Sequence, residues 1–216
     1  MLERITRREE ADLFVAWMAI AIAFAIIQIA PRGILGPNIG IEPLSAVIFF
    51  GIALVTVGIG FIIHEMAHKF TAIHYGYWAE FRKDNIMLLI AVVMASLVGF
   101  VFAAPGATVI YSRDGRMLTT KENGIISAAG PAVNLLLCIP FAALILAAGG
   151  ITALKSGSIL AFVGLAGIQI NAMLATFNML PVSVLDGKKV MAWNLPAFLI
   201  LIGVSAAILF GSFAIL

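Results

Sequence analysis

Charge is scarce in this chain. Asp, Glu, Lys and Arg make up only 11% of its 216 residues, and 13 basic against 11 acidic residues leave a formal net charge of +2. So little charge cannot solvate an ordinary soluble domain. No basic stretch interleaved with aromatics is present to follow a nucleic-acid backbone, which excludes a nucleic-acid partner. Cysteine is nearly absent. Cys138 stands alone, so no internal disulfide can form, and its setting in Leu135-Leu136-Leu137-Cys138-Ile139 reads as a small buried hydrophobe. Histidine is rare as well: His64, His68 and His74 are the whole supply for any imidazole-based site. Low-complexity tracts and clear internal repeats are lacking.

What remains is apolar. The chain is 62% hydrophobic with a mean hydropathy of +1.12, the composition of a polytopic protein embedded in a lipid bilayer. Six apolar stretches stand out, at 13–30, 44–70, 86–104, 125–149, 157–182 and 195–216. Each comes near the roughly 20 residues that a helix needs to cross a bilayer. The first follows Arg4, Arg7 and Arg8 but is longer than a signal-peptide core and runs into Pro31, so it reads as a retained span.

Six plain crossings would divide Lys and Arg evenly between the two sides. If 86–104 instead dips in and returns, only Arg32 and Lys155 lie outside, and the remaining Lys and Arg gather with a cytoplasmic N-terminus. Five crossings and one re-entrant element are therefore expected. Pro105 and Gly106 break helix, and Ala107-Thr108-Val109-Ile110-Tyr111 suits a strand. A turn at Arg113-Asp114-Gly115-Arg116 would pair it with Met117-Leu118-Thr119-Thr120 as a hairpin.

Within the second stretch lies His64-Glu65-Met66-Ala67-His68. On a helix, residues four apart share a face, so both imidazoles can reach one metal ion while Glu65 reaches a water beside it. Ionisable groups in hydrocarbon are costly, which makes this a functional hypothesis by default. We read it as a zinc site. Catalytic zinc takes three protein ligands, and the third could be His74, six residues on, or Asp186, which ends an apolar span beside Gly187. Spacing alone leaves Asp186 open between a ligand and a solvated neighbour of Lys188 and Lys189.

These residues resemble the site-2 proteases, a family of intramembrane zinc metalloproteases. His64, Glu65 and His68 match its His-Glu-x-x-His motif. Asn178, Pro181, Leu185, Asp186 and Gly187 match its Asn-x-x-Pro-x-x-x-Leu-Asp-Gly motif, and Gly130-Pro131-Ala132-Val133-Asn134 looks like its Gly-Pro-x-x-Asn motif. The resemblance covers roughly residues 44 to 190; between Lys69 and Lys121 the chain departs from the family with an unusually long apolar stretch. It implies one zinc ion held by His64, His68 and Asp186, with Glu65 as the catalytic base. The expected fold is then an all-α polytopic membrane protein, a bundle of five to six transmembrane helices with a re-entrant element and a small β-hairpin. One protease domain would cover 1–216, with its core at 44–190 and peripheral helices at 13–30 and 195–216. Ligands at the ends of two spans must meet at one depth, and this again requires that 86–104 not cross.

The expected activity is hydrolysis of a peptide bond in or near a transmembrane segment of a membrane-protein substrate, at a site opening to the cytoplasm. Asn134 is a candidate oxyanion donor or substrate contact, and Asn178 a substrate contact or an organiser of the Asp186 loop. Thr108, Val109 and Ile110 are candidates to pair with an extended substrate. Asn171, Gln169 and Gln28 read as interhelical contacts. The competing readings are a metal-binding transporter without hydrolytic activity, and a different membrane zinc protease with Glu80 or Glu122 as third ligand.

Overall fold

The computed structural model describes residues 5–30, 33, 42–99, 101, 106–112, 115–182 and 184–214. The chain is mostly helical, with eight helices and one two-stranded antiparallel sheet among these residues. Five helices are long and apolar enough to cross a membrane: α1 (Arg7–Ile29), α2 (Pro43–His74), α4 (Thr120–Ala147), α6 (Ile159–Asn178) and α8 (Leu195–Phe213). They fit a multi-pass membrane protein. Between them lie α3 (Asn85–Val98), α5 (Ile151–Lys155) and α7 (Asp186–Trp193), with strands β1 (Trp78–Lys83) and β2 (Gly106–Tyr111).

Local chemistry sets most of the boundaries. Thr6 caps α1 by accepting from the Glu9 backbone N–H, and Asp84 caps α3 by accepting from the N–H groups of Ile86 and Met87. Gly99 ends α3 in the left-handed region, at φ 72°. At 14 residues, α3 is about 21 Å long, short of the roughly 30 Å hydrocarbon core, so among the described residues the stretch at 86–104 contributes no helix long enough to span.

The expected strand at 107–111 is present, but its partner is β1 and not 117–120. Thr119 and Glu122 form a capping box, each side chain taking the other's backbone N–H, and this starts α4 where the second strand was expected. The expected turn at Arg113-Asp114 and the break at Pro105 lie outside the described residues.

The chain divides into two compact units, Met1–Ile62 with Glu80–Val109, and Ile63–Ala79 with Ile110–Leu216. In the first unit, α1 is anchored in its first turn and near its middle. Trp17 Nε1 donates to the Leu54 carbonyl at 2.8 Å, and the fully buried Glu9 carboxylate accepts from the Phe81 backbone N–H at 3.0 Å. Arg82 pairs with Asp12 and Glu80, and Phe81 meets Phe61 edge-on. The second unit is built on α4 and α6, with α7 against α4 and α8 against α6. Gly164 and Gly167 let α6 press on α4: a Cβ at Gly167 would collide with the Phe141 ring, and one at Gly164 with the Ile145 side chain and the Phe141 carbonyl.

Candidate metal centre

The last part of α2, within the second unit, carries His64, Glu65 and His68, all buried. Helical spacing stacks the two imidazoles on one face, ring centroids 4.6 Å apart and planes at 84°. Both Nδ1 atoms turn away from each other and the two Nε2 atoms face at 3.0 Å. His68 Nδ1 lies 2.7 Å from the Ile126 carbonyl, which can only accept, so Nδ1 carries a proton and Nε2 is the nitrogen that can offer a lone pair to a metal. His64 Nδ1 donates to Asn134 Oδ1 at 2.5 Å, which leaves its Nε2 in the same state.

Asp186 arrives from the first residue of α7. Its Oδ2 stands 3.1 Å from His68 Nε2 and 3.7 Å from His64 Nε2, while Oδ1 faces Lys189 Nζ at 3.6 Å. Burial alone would raise this carboxyl, but the neighbouring imidazoles hold it well below the usual carboxylate range, so it is ionised. Gly187 makes the approach possible: a Cβ there would run into the Met179 carbonyl at the end of α6. On the other side, Gly130 of α4 lies against the imidazoles. A Cβ built on it would stand 2.6 Å from His64 Nε2 and closer still to His68 Nε2.

Three facing atoms are thus acceptors, two imidazole lone pairs and one carboxylate oxygen, all within 4.8 Å of one another. Such a set can hold a metal ion. Tetrahedral zinc at about 2.0–2.1 Å from nitrogen and oxygen ligands sets ligand atoms about 3.4 Å apart, and the observed 3.0, 3.1 and 3.7 Å bracket that value. These residues fit zinc. Among the described residues this is the one such group of three. His74 ends α2 exposed, edge-on to Tyr75. Glu122 is bound to Arg116, Tyr77 and Thr119, and Glu80 to Arg82, so neither glutamate joins the cluster.

The other expected residues are distributed differently. Asn134 touches the cluster through His64, and its Nδ2 donates to Asn171 Oδ1 at 2.8 Å, so this amide braces a candidate ligand. Asn178 Nδ2 donates to Leu174 O in its own helix. Thr108, Val109 and Ile110 lie along β2, with Val109 exposed and Ile110 packed on the cluster of Ala72, Tyr77, Ala79 and Ile126. Sequence reading missed three contributors: the Ile126 carbonyl, which leaves no side-chain signal, Gly130, visible there only as a motif letter, and Asn171, read as an ordinary interhelical contact.

The ligand positions also bear on topology. The end of α2, the start of α4 at Ile126 and the Asp186 loop after α6 meet at one level. Two helices long and apolar enough to span a bilayer, α4 and α6, lie between Ile126 and Asp186.

A "Putative zinc metalloprotease MJ0611" from Methanocaldococcus jannaschii is 38% identical over 191 residues, which cover 88% of this chain and 87% of that protein. No protein-family model matches the chain, and no solved structure does. At that identity, over nearly the full length of both proteins, the chain belongs to the zinc metalloprotease family of this archaeal relative.

Proposed function

We propose that this chain is an intramembrane endopeptidase of the site-2 type. It holds one zinc ion on His64, His68 and Asp186 and cuts a peptide bond within or near a transmembrane segment of a membrane-protein substrate. One observation carries the reading: three acceptor atoms converge at buried positions beside Glu65, in a chain with five helices long enough to span a bilayer. Zinc held there supplies Lewis acidity and brings the pKa of a water towards 7. Glu65, which the donor set leaves out, accepts the proton of the attacking water and returns it to the leaving amine nitrogen. A carboxylate beside a metal-bound pair of imidazoles has no use in a transport site, and ligands gathered at one level do not trace an ion path.

The burial of the site supports a membrane-embedded substrate. A spanning helix hides its carbonyls in hydrogen bonds and must open locally before one can react. An extended segment so released can add to β2 through Thr108, Val109 and Ile110. The clustering of Lys and Arg in 115–121 and 188–189 favours a cytoplasmic opening and a cytoplasmic N-terminus.

The test is to incubate the purified, zinc-loaded protein with membrane-spanning peptides and with soluble peptides, and to map the cuts. Cuts confined to membrane-spanning or juxtamembrane positions, and absent from Glu65→Gln, are expected. Equal cleavage of soluble peptides would remove the intramembrane assignment, and cleavage by Glu65→Gln at the parent rate would remove the base.

A further inference from the structure

Two amides connect His64 of α2 to a backbone carbonyl of α6. Asn171 Nδ2 donates to Gly167 O at 2.8 Å, Asn134 Nδ2 to Asn171 Oδ1 at 2.8 Å, and Asn134 Oδ1 receives His64 Nδ1 at 2.5 Å. Asn134 and Asn171 are completely buried. A carbonyl can only accept, so the Asn171 atom beside Gly167 must be the amide nitrogen and the other its oxygen. That oxygen requires a donor from Asn134, which turns the Asn134 oxygen to His64. His64 must then present Nδ1–H and keep its Nε2 lone pair for the cation. His68 reaches the same state in one step from the Ile126 carbonyl.

We infer that Asn171 is a positioning residue for the metal site, setting the tautomer of His64 through the orientation of the Asn134 amide. This rests on the proposed ligand set but not on proteolysis. Without Asn171, the Asn134 amide can turn over and offer Nδ2 to His64. That selects the tautomer with Nε2–H, which cannot bind a metal. Partners that orient a metal-binding histidine are worth about 10–100-fold in affinity when lost.

The chain has three histidines, so an imidazole nitrogen-15 spectrum of the metal-free protein in micelles is simple to assign, with His74→Gln removing one set of signals. In Asn171→Leu, His64 is expected to show a mixture of tautomers while His68 stays unchanged as an internal control. Zinc affinity, read by chelator competition, should fall about 10-fold or more. Asn134→Asp provides the decisive background, because a carboxylate accepts from His64 whichever way it turns. There, adding Asn171→Leu should change zinc affinity less than about 2-fold, against the roughly 10-fold loss in the parent.

Equal losses in both backgrounds, or a single unchanged His64 tautomer in Asn171→Leu, would overturn the inference. Asn171→Ala, which cannot overfill the site, repeats the comparison if the leucine variant melts early. Should the parent bind no zinc, the metal assignment itself falls, while the tautomer measurement still decides the role of Asn171.

Discussion

At the scale of single residues, the centre separates groups that hold from a group that reacts. His64, His68 and Asp186 point acceptor atoms at one spot, and Glu65, buried next to His64, is left out of the set. Glu65→Gln keeps the shape and removes the base, so hydrolysis should drop by about 10²–10⁴-fold, the usual worth of a general acid–base group. Zinc content by atomic emission should remain that of the parent; loss of metal in this variant would mean that Glu65 serves as a ligand. Gly130→Ala tests the opposite case. It leaves every polar group in place but drives a methyl into the imidazoles, so zinc uptake should fall below detection in the same assay. Parent-level zinc there would show that the rings can move aside.

Among secondary-structure elements, the legible parts were those with a strong local pattern. His64 and His68 sit four residues apart in an apolar helix with Glu65 between them, and each candidate spanning helix is an apolar run, so both could be read directly. The β1 strand could not. Its sequence Trp-Ala-Glu-Phe-Arg-Lys looks like a polar connection because its partners are distant: Arg82 pairs with Asp12, and the Phe81 N–H donates to Glu9. The capping box at Thr119 and Glu122 was visible in the sequence, but two threonines after Met117 and Leu118 suited a strand as well, and the reciprocal caps decided for helix. Asn171 offers no local signal, because its role depends on what Asn134 touches in another helix. For β2, Val109→Pro removes a backbone donor from the strand. Cleavage of a membrane-spanning peptide should fall several-fold with zinc content intact, and undiminished cleavage would remove β2 as the substrate rail.

For the whole molecule, the prediction concerns sidedness. Met117 and Lys188 are exposed, and so is Lys155, which lies in α5 just after the candidate span α4. Replacing Cys138 by Ala gives a cysteine-free background, since it is the sole cysteine. Met117→Cys and Lys188→Cys should then react with an impermeant maleimide added from the cytoplasmic side, and Lys155→Cys from the opposite side. Labelling of 117 and 188 from opposite faces would break the even-crossing topology, and all three reacting from one face would remove α4 as a span.

Gly130 has a broader consequence for judging relatives of this chain. The room in which the rings meet is made by missing atoms, so a homologue could retain every acid, base and ligand and still be silent through one added methyl. A census of reactive side chains would count that homologue as active, and only the identity of the residue at this empty corner would reveal the lesion.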